Sequence, residues 1–245
     1  IAVRNWKLFL HGIRITILFA FAGTPFGLLL GLVIAALRVL KCEEGDSVSV
    51  RLFKRAGVLL SRLYIWVFRG TPMMVQAVFL YYLLKPVLKW TSFSAALVII
   101  SINTAAYMAE IIRAGIQSVD EGQSDAAYSI GLNWIQSMCY IIIPQAIRNS
   151  FPSIGNQLIV NIKDSSVLMI ISITELMFQS NSIAGTTYRF TETYFVTAMI
   201  YLLLTGTSSI VLGWIERRIN HTRTSLPQSD TNFSSISLAN KGAKQ

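Results

Sequence analysis

Long apolar stretches alternate with shorter polar ones along this chain of 245 residues. Five of the apolar stretches approach or exceed the roughly 20 residues that an α-helix needs to cross a bilayer. They cover residues 13–37, 63–84, 93–112, 154–177 and 194–214. The pattern predicts an all-α integral membrane protein with five transmembrane helices. The segments between them are too short to form a soluble domain with a core of its own.

The basic residues predict an orientation, because cytoplasmic loops close to the spans carry an excess of Lys and Arg. Residues 38–62 contain six basic and three acidic residues, whereas residues 85–92 contain two lysines. We therefore expect the N-terminus outside and, after five crossings, the C-terminus inside. The net charge of +9 then reflects membrane topology and gives no indication of nucleic-acid binding.

Three regions are expected along the chain. Residues 1–12 mix Trp and Leu with basic residues, which is typical of an amphipathic segment lying in the outer membrane interface. Residues 13–220 form the transmembrane domain. Residues 221–245, rich in Ser, Asn, Thr and Gln, are expected to be a disordered cytoplasmic tail.

Gly23, Gly27 and Gly31 recur every four residues in the first span. This spacing places the three glycines on one face of a helix, where small residues let a neighbouring helix approach closely. We predict that this face packs against another span.

No catalytic or metal-binding constellation is visible. The two histidines lie at positions 11 and 221, the two cysteines at positions 42 and 139, and no HExxH or GxxxxGK[ST] motif occurs. The chain is therefore not expected to be an enzyme, and no metal or cofactor is expected in it.

The segment from residue 116 to residue 147 is moderately polar and lies on the predicted cytoplasmic side. We expect a short helix over residues 121–130 that ends at Gly131, a residue type typical of helix ends. Ser118 and Glu121 have the spacing of a capping box at its start. Such a helix either enters a groove of a partner protein or lies on the membrane surface.

The residues of this segment resemble the loop shared by permeases of bacterial ABC importers. That loop has Glu-Ala-Ala, three residues, Gly, nine residues, Ile, one residue and Leu-Pro. Here Asp125-Ala126-Ala127 is followed by Gly131, Ile141 and Ile143-Pro144 at the same intervals, with Asp in place of Glu and Ile in place of Leu.

The resemblance extends to the branch of the family that handles polar amino acids. It is carried by residues 68–72 with Gln76, by residues 109–116 and by residues 162–168, so that it spans roughly residues 10 to 220. It implies a type I ABC importer permease fold in the bacterial cytoplasmic (inner) membrane. The implied function is the import of a polar or charged L-amino acid by alternating access.

By the same resemblance, the short helix is a coupling helix that docks on a separate ABC ATPase. The residues implied at the ATPase interface are Glu121, Asp125, Ala126, Ala127 and Gly131. ATP and Mg would be bound by that partner. The other implied partners are a second permease subunit, forming a homodimer or a heterodimer, and an extracytoplasmic substrate-binding protein, together with the amino acid substrate and membrane lipid.

Lys163 and Asp164 fall nine or ten residues into the fourth apolar stretch, close to the expected bilayer centre. Ionisable residues at that depth are candidates for function. We expect Lys163, Asp164 and Ser165 to contact the substrate; the alternative is that the charged pair only binds Glu110 or Arg113 on the third span.

Two acidic residues of the outer loop, Glu175 and Glu192, are expected to be solvated or to contact the binding protein. Two other functions remain open from the sequence. One is a self-sufficient secondary amino acid transporter, for which inverted repeats would be typical. The other is a membrane scaffold that transports nothing.

Overall fold

The computed structural model describes residues 1–40, 45 and 47–221. The helices of this part of the chain are α1 (Trp6–Arg38), α2 (Val48–Gly70), α3 (Met73–Leu88), α4 (Ser92–Gln117), α5 (Glu121–Ser129), α6 (Trp134–Ser137), a π-helix (Met138–Ile142), α7 (Ile143–Asp164), a 3-10 helix (Ser165–Ile171), α8 (Leu176–Thr187) and α9 (Phe190–His221). The predicted all-α class is confirmed.

Three helices, α1, α4 and α9, are long and apolar enough to cross a membrane on their own. Two further pairs of helices reach that length and hydropathy together, although each pair is sharply bent. Counting each bent pair as one span gives the five that the apolar pattern predicted. The orientation of these spans stays a prediction.

The first helix differs from the expected arrangement. We expected residues 1–12 to form a separate interfacial segment, but α1 runs without interruption from Trp6 to Arg38. Its 33 residues correspond to roughly 50 Å, well beyond the roughly 30 Å of a hydrocarbon core. The same helix therefore extends past the membrane core. Residues 222–245 of the predicted tail lie outside the described residues.

The second predicted span is not one helix. The structure divides it into α2 and α3, which meet at 112°. Pro72 sets the break because its ring prevents the preceding turn from continuing. The side-chain amide of Gln76 donates to the carbonyl oxygens of Phe68 and Thr71, both at 2.9 Å. This amide thus satisfies backbone groups that the break would leave unpaired inside a membrane.

The fourth predicted span is also divided. α7 begins at Ile143, eleven residues before the predicted start, and ends at Asp164, where the chain tightens into the 3-10 helix. Ser172 then adopts a left-handed conformation with φ of +67°, which ends the 3-10 helix. The segment containing α6, α7 and the 3-10 helix meets α8 at 56°. A continuous helix over residues 154–177 was therefore the wrong prediction.

The glycine face of α1 packs directly on α4, as predicted. A methyl group added at Gly27 would lie 2.6 Å from Thr104, and one added at Gly31 would lie 2.6 Å from Met108. One added at Gly23 would lie 2.8 Å from Ile100. These distances leave no room for any larger side chain without moving α4.

A buried amide joins α7 to this pair of helices. The Nδ2 of Asn161 donates to the hydroxyl of Thr24 at 2.8 Å, and its Oδ1 accepts from the hydroxyl of Thr104 at 3.0 Å. Because lipid offers no competing partners, such bonds between helices help to fix their arrangement. The core of the chain is therefore a bundle of α1, α4 and α7.

We predict opposite effects for two glycine substitutions. Gly27→Ala should lower the free energy of unfolding by about 1–3 kcal/mol, because the methyl group overlaps Thr104. Gly206→Ala is the matched control, since nothing lies within 4 Å of the added methyl group and Ala favours a helix. The thermal unfolding midpoint of each purified chain in detergent measures the difference. Equal midpoints for the two variants would contradict the close contact.

Candidate functional site

The short helix α5 begins one residue after Asp120, whose carboxylate accepts a hydrogen bond from the backbone N–H of Gly122 at 2.8 Å. The predicted capping box of Ser118 and Glu121 is wrong. α4 runs to Gln117 and uses Ser118 as its C-cap, and the Ser118 hydroxyl donates to the carbonyl of Gly115. Ser118 therefore caps the end of α4 and does not cap the start of α5.

The end of α5 agrees with the prediction for Gly131. This residue has a φ of +84°, a conformation that side chains disfavour. The N–H of Leu132 donates to the carbonyl of Ala127 at 3.1 Å, and the N–H of Gly131 donates to that of Tyr128 at 2.9 Å. These two bonds form a Schellman motif. Nothing lies within 4 Å of a methyl group added at Gly131, so glycine is required for its backbone angle and not for space.

The residues that we expected at the ATPase interface do not all lie on exposed faces of α5. Glu121, Asp125 and Ala126 are exposed, and Gly131 is exposed at the end of the helix. Ala127 is only 1% exposed, so its side chain packs within its own chain and cannot contact a partner in this conformation. The expectation for Ala127 is corrected on that ground.

Behind α5 lies a cavity of about 930 Å³. Arg38, Arg62 and Arg113 line it from α1, α2 and α4, while Glu121 and Asp125 line it from α5. The cavity therefore has a basic wall and an acidic wall.

One carboxylate organises part of the basic wall. Glu110 forms ion pairs with Arg38 and, at 2.9 Å, with Arg113. The alternative from the sequence was that Lys163 and Asp164 pair with Glu110 or Arg113. Within the described part of the chain, Glu110 pairs with the two arginines instead, so that alternative is not observed.

The three expected substrate residues lie at the junction of α7 and the 3-10 helix. Lys163 is exposed and Asp164 is half-buried. Ser165 is fully buried and its hydroxyl donates to the carbonyl of Ile162 at 2.9 Å, which removes it from any accessible surface. Because α7 starts at Ile143, Asp164 lies roughly 30 Å from the start of its helix and not at its middle.

Glu175 is not a solvated loop residue. It is 0% exposed and caps α8, accepting hydrogen bonds from the backbone N–H groups of Met177 at 2.7 Å and Phe178 at 2.6 Å. The hydroxyl of Tyr201 donates to the same carboxylate at 3.2 Å. An acidic residue directly before an apolar helix was the signal for this role. By contrast, Glu192 is exposed and pairs with Arg189 at 3.1 Å.

A further buried contact was not expected from the sequence. The amide of Asn103 on α4 donates to the Oε1 of Gln76 at 2.9 Å, which ties the break between α2 and α3 to the core bundle. Across the described residues, no three side chains among His, Cys, Asp and Glu lie close enough together to hold a metal ion.

Comparison with known proteins agrees with this architecture. The glutamine transport system permease protein GlnP of Escherichia coli is 33% identical over 215 residues, which are 86% of this chain and 93% of that protein. The arginine transport system permease protein ArtQ of Bacillus subtilis is 31% identical over 212 residues, covering 86% of this chain and 91% of its own length.

A solved structure is also similar. The crystal structure of an amino acid ABC transporter with histidines contains a chain that is 38% identical to this one, with a TM-score of 0.76. The match covers 88% of this chain and 96% of that chain. The overall arrangement of helices is therefore that of a type I ABC permease.

The family match covers most of the chain. Residues 23–221 match the family described as binding-protein-dependent transport system inner membrane component. The match includes the glycine face of α1, all of α5 and the junction at Asp164. On this evidence the chain belongs to the family of inner membrane components of binding-protein-dependent transport systems.

Proposed function

We propose that this chain is the transmembrane subunit of an ATP-driven importer that moves a polar or charged L-amino acid across the bacterial inner membrane by alternating access. The observation that carries the proposal is α5. This helix is short, exposed on one side and fixed at both ends, in a chain whose family depends on a partner for energy. The predicted orientation puts it on the cytoplasmic side.

The geometry of α5 suits a helix that transmits movement. The Asp120 cap fixes its start, the Schellman motif at Gly131 fixes its end, and the helix, with Ala127 buried, packs against α6 and the π-helix. Ala126 is exposed outside the cavity, whereas Glu121 and Asp125 are exposed along it. A groove in an ATPase that receives the exposed residues of α5 would pull on α4, which precedes it, and on α7 through α6 and the π-helix.

The energy source belongs to another polypeptide in this proposal. The ABC ATPase binds ATP and Mg, and the chain has no phosphate-binding loop of its own. A second permease subunit completes the membrane part, and an extracytoplasmic binding protein delivers the substrate. When the ATPase draws the coupling helices together, the bundle opens outward, and hydrolysis returns it to the inward-facing state.

The substrate is assigned to a class by the groups at the end of α7. Lys163 and Asp164 offer one charge of each sign, which suits the carboxylate and the ammonium of an amino acid. Two relatives are named for glutamine and arginine transport, and the similar structure is of an amino acid ABC transporter with histidines. These names support a polar or charged amino acid.

A self-sufficient secondary transporter is the alternative function. It would explain charged residues at Lys163 and Asp164, but it gives no role to a capped, exposed helix such as α5. The family match also favours a subunit that works with a binding protein.

Asp125→Lys should weaken association with the ATPase by at least about tenfold, because a like-charge or unpaired contact at an interface costs several kcal/mol. The control is Glu192→Lys, which reverses another exposed carboxylate, at the start of α9. Both variants are expressed with the genomic neighbours of the gene, and the ATPase retained on the purified chain is quantified. Equal retention by the two variants would contradict a role for α5 in docking.

Asp164→Asn should lower uptake and shift substrate preference away from cationic amino acids, whereas Asp164→Glu, which keeps the charge, should retain most uptake. The reason is that a half-buried carboxylate at the helix junction can bind an ammonium or guanidinium group. Uptake of labelled glutamine, arginine and histidine in proteoliposomes measures the shift. If Asp164→Asn leaves both rate and preference unchanged, substrate contact at this residue is ruled out.

A further inference from the structure

Three cavities meet at one arginine of α2. Arg62 lines the cavity of about 930 Å³ behind α5, a second of about 490 Å³ and a third of about 280 Å³. Arg38 lines the first two. Arg69 adds to the second cavity, and Lys54 and Arg55 add to the third. The connected space is therefore basic along the length of α2.

Among the described residues, only some of the arginines that line this space have an acidic partner. Glu110 pairs with Arg38 and Arg113, and Arg69 lies over the ring of Tyr107 at 5.4 Å. In the part of the chain that the structure describes, no carboxylate lies within 4 Å of Arg62. Glu121 and Asp125 line the wall that α5 forms, so Arg62 is the arginine of this cavity that remains for an added anion.

The helix that carries these residues has three distinct faces. Gly57, Ser61 and Ile65 are buried against the bundle. About 100° further round, an exposed stripe carries Arg55, Arg62, Trp66 and Arg69. The third face is exposed and apolar, and its members are Leu52, Phe53, Leu59, Leu60, Leu63 and Val67. A basic stripe with a Trp beside an apolar face is typical of a helix that lies at a membrane interface.

An apolar groove leaves the cavity of about 930 Å³ on the side away from α2. Its lining includes Leu32 and Ala36 of α1, Ile112 of α4 and Cys139 of the π-helix. The groove shares four lining residues with the cavity of about 930 Å³, so the two spaces are continuous. These residues are Val39, Ile116, Trp134 and Met138. The groove encloses about 100 Å³. π-Helices are frequent at functional sites, and this one forms part of the groove wall.

We propose that this cavity binds an anionic phospholipid, with the headgroup phosphate at Arg62 and Arg38 and an acyl chain entering the apolar groove. Basic pockets between helices on the cytoplasmic side of a membrane recognise such headgroups. A soluble phosphate would use the arginines but not the groove, and a neutral lipid would use the groove but not the arginines. The juxtaposition of both features selects a molecule that has both parts.

The site lies between the coupling helix and the break at Thr71 and Pro72. The headgroup would contact residues of α1, α2 and α4 on one wall and face α5 on the other. Bound lipid would thus connect the composition of the inner leaflet to the position of α5. This role does not depend on which amino acid is transported.

The first test counts phospholipids that stay on the full permease complex in native mass spectrometry, after extraction from nanodiscs that contain phosphatidylglycerol and phosphatidylcholine. Arg62→Gln should bind phosphatidylglycerol about fivefold more weakly than wild type, the effect of one basic residue at an anionic surface. Arg51→Gln is the matched control, because Arg51 lies on the same helix but lines none of the three cavities. Equal retention by the two variants would overturn the proposal.

The second test reports on the groove. In a Cys42→Ser background, Cys139 should react several times more slowly with a lipophilic maleimide in phosphatidylglycerol liposomes than in phosphatidylcholine liposomes. Equal rates would show that no anionic lipid covers the groove. Protection by inorganic phosphate alone would assign the arginines to a soluble anion. Cross-linking of Arg62→Cys to the second permease subunit would assign the cavity to the subunit interface, and either result would overturn the proposal.

Discussion

The contact between the glycine face of α1 and α4 is the constraint on which the rest of the fold depends. Lipid tails are as apolar as Leu, so helices in a bilayer associate through close packing and polar contacts. Gly23, Gly27 and Gly31 provide the packing. Asn161 provides the polar contacts, because it bonds to both helices at Thr24 and Thr104. α1, α4 and α7 consequently form a single frame.

Close packing and a polar contact also join α4 to α7 near α5. Gly115, near the end of α4, faces Ala146 and Ser150 on α7, and the Ser150 hydroxyl donates to the carbonyl of Ile111 at 3.1 Å. α5 leaves the end of α4, and α6 and the π-helix lead from it to α7. Both helices that hold α5 are thus fixed against each other. A movement of α5 is therefore expected to move the bundle of α1, α4 and α7.

The sequence predicted the features that depend on regular spacing. The five spans follow from the lengths of the apolar stretches, the glycine face from a four-residue spacing, and the end of α5 from the backbone preference of Gly131. Hydropathy did not locate the breaks after Gly70 and Ile171, because only a few polar residues separate apolar stretches that together have the length of one span. At the break set by Pro72, the side-chain amide of Gln76 satisfies the carbonyls of Phe68 and Thr71, a contact that hydropathy does not report.

The sequence also did not predict which side chains of a motif are buried and which are exposed. Ala126 and Ala127 are neighbours in the motif, yet one is exposed and the other is buried, because consecutive helix positions differ by about 100°. Ser165 and Glu175 were placed in a cavity and in a solvated loop, but both are buried. The Ser165 hydroxyl donates to the carbonyl of Ile162 only three residues earlier, whereas the contact of Glu175 with Tyr201 becomes visible only once the helices are packed.

The central claim is that this chain moves its substrate only when a separate ATPase acts on α5. It is tested most directly by uptake of a labelled amino acid into proteoliposomes that contain the permease with its ATPase and binding protein. The account predicts uptake that requires enclosed ATP and is unaffected by ionophores that abolish ion gradients. Uptake by the permease alone, without ATP and driven by an imposed ion gradient, would contradict it.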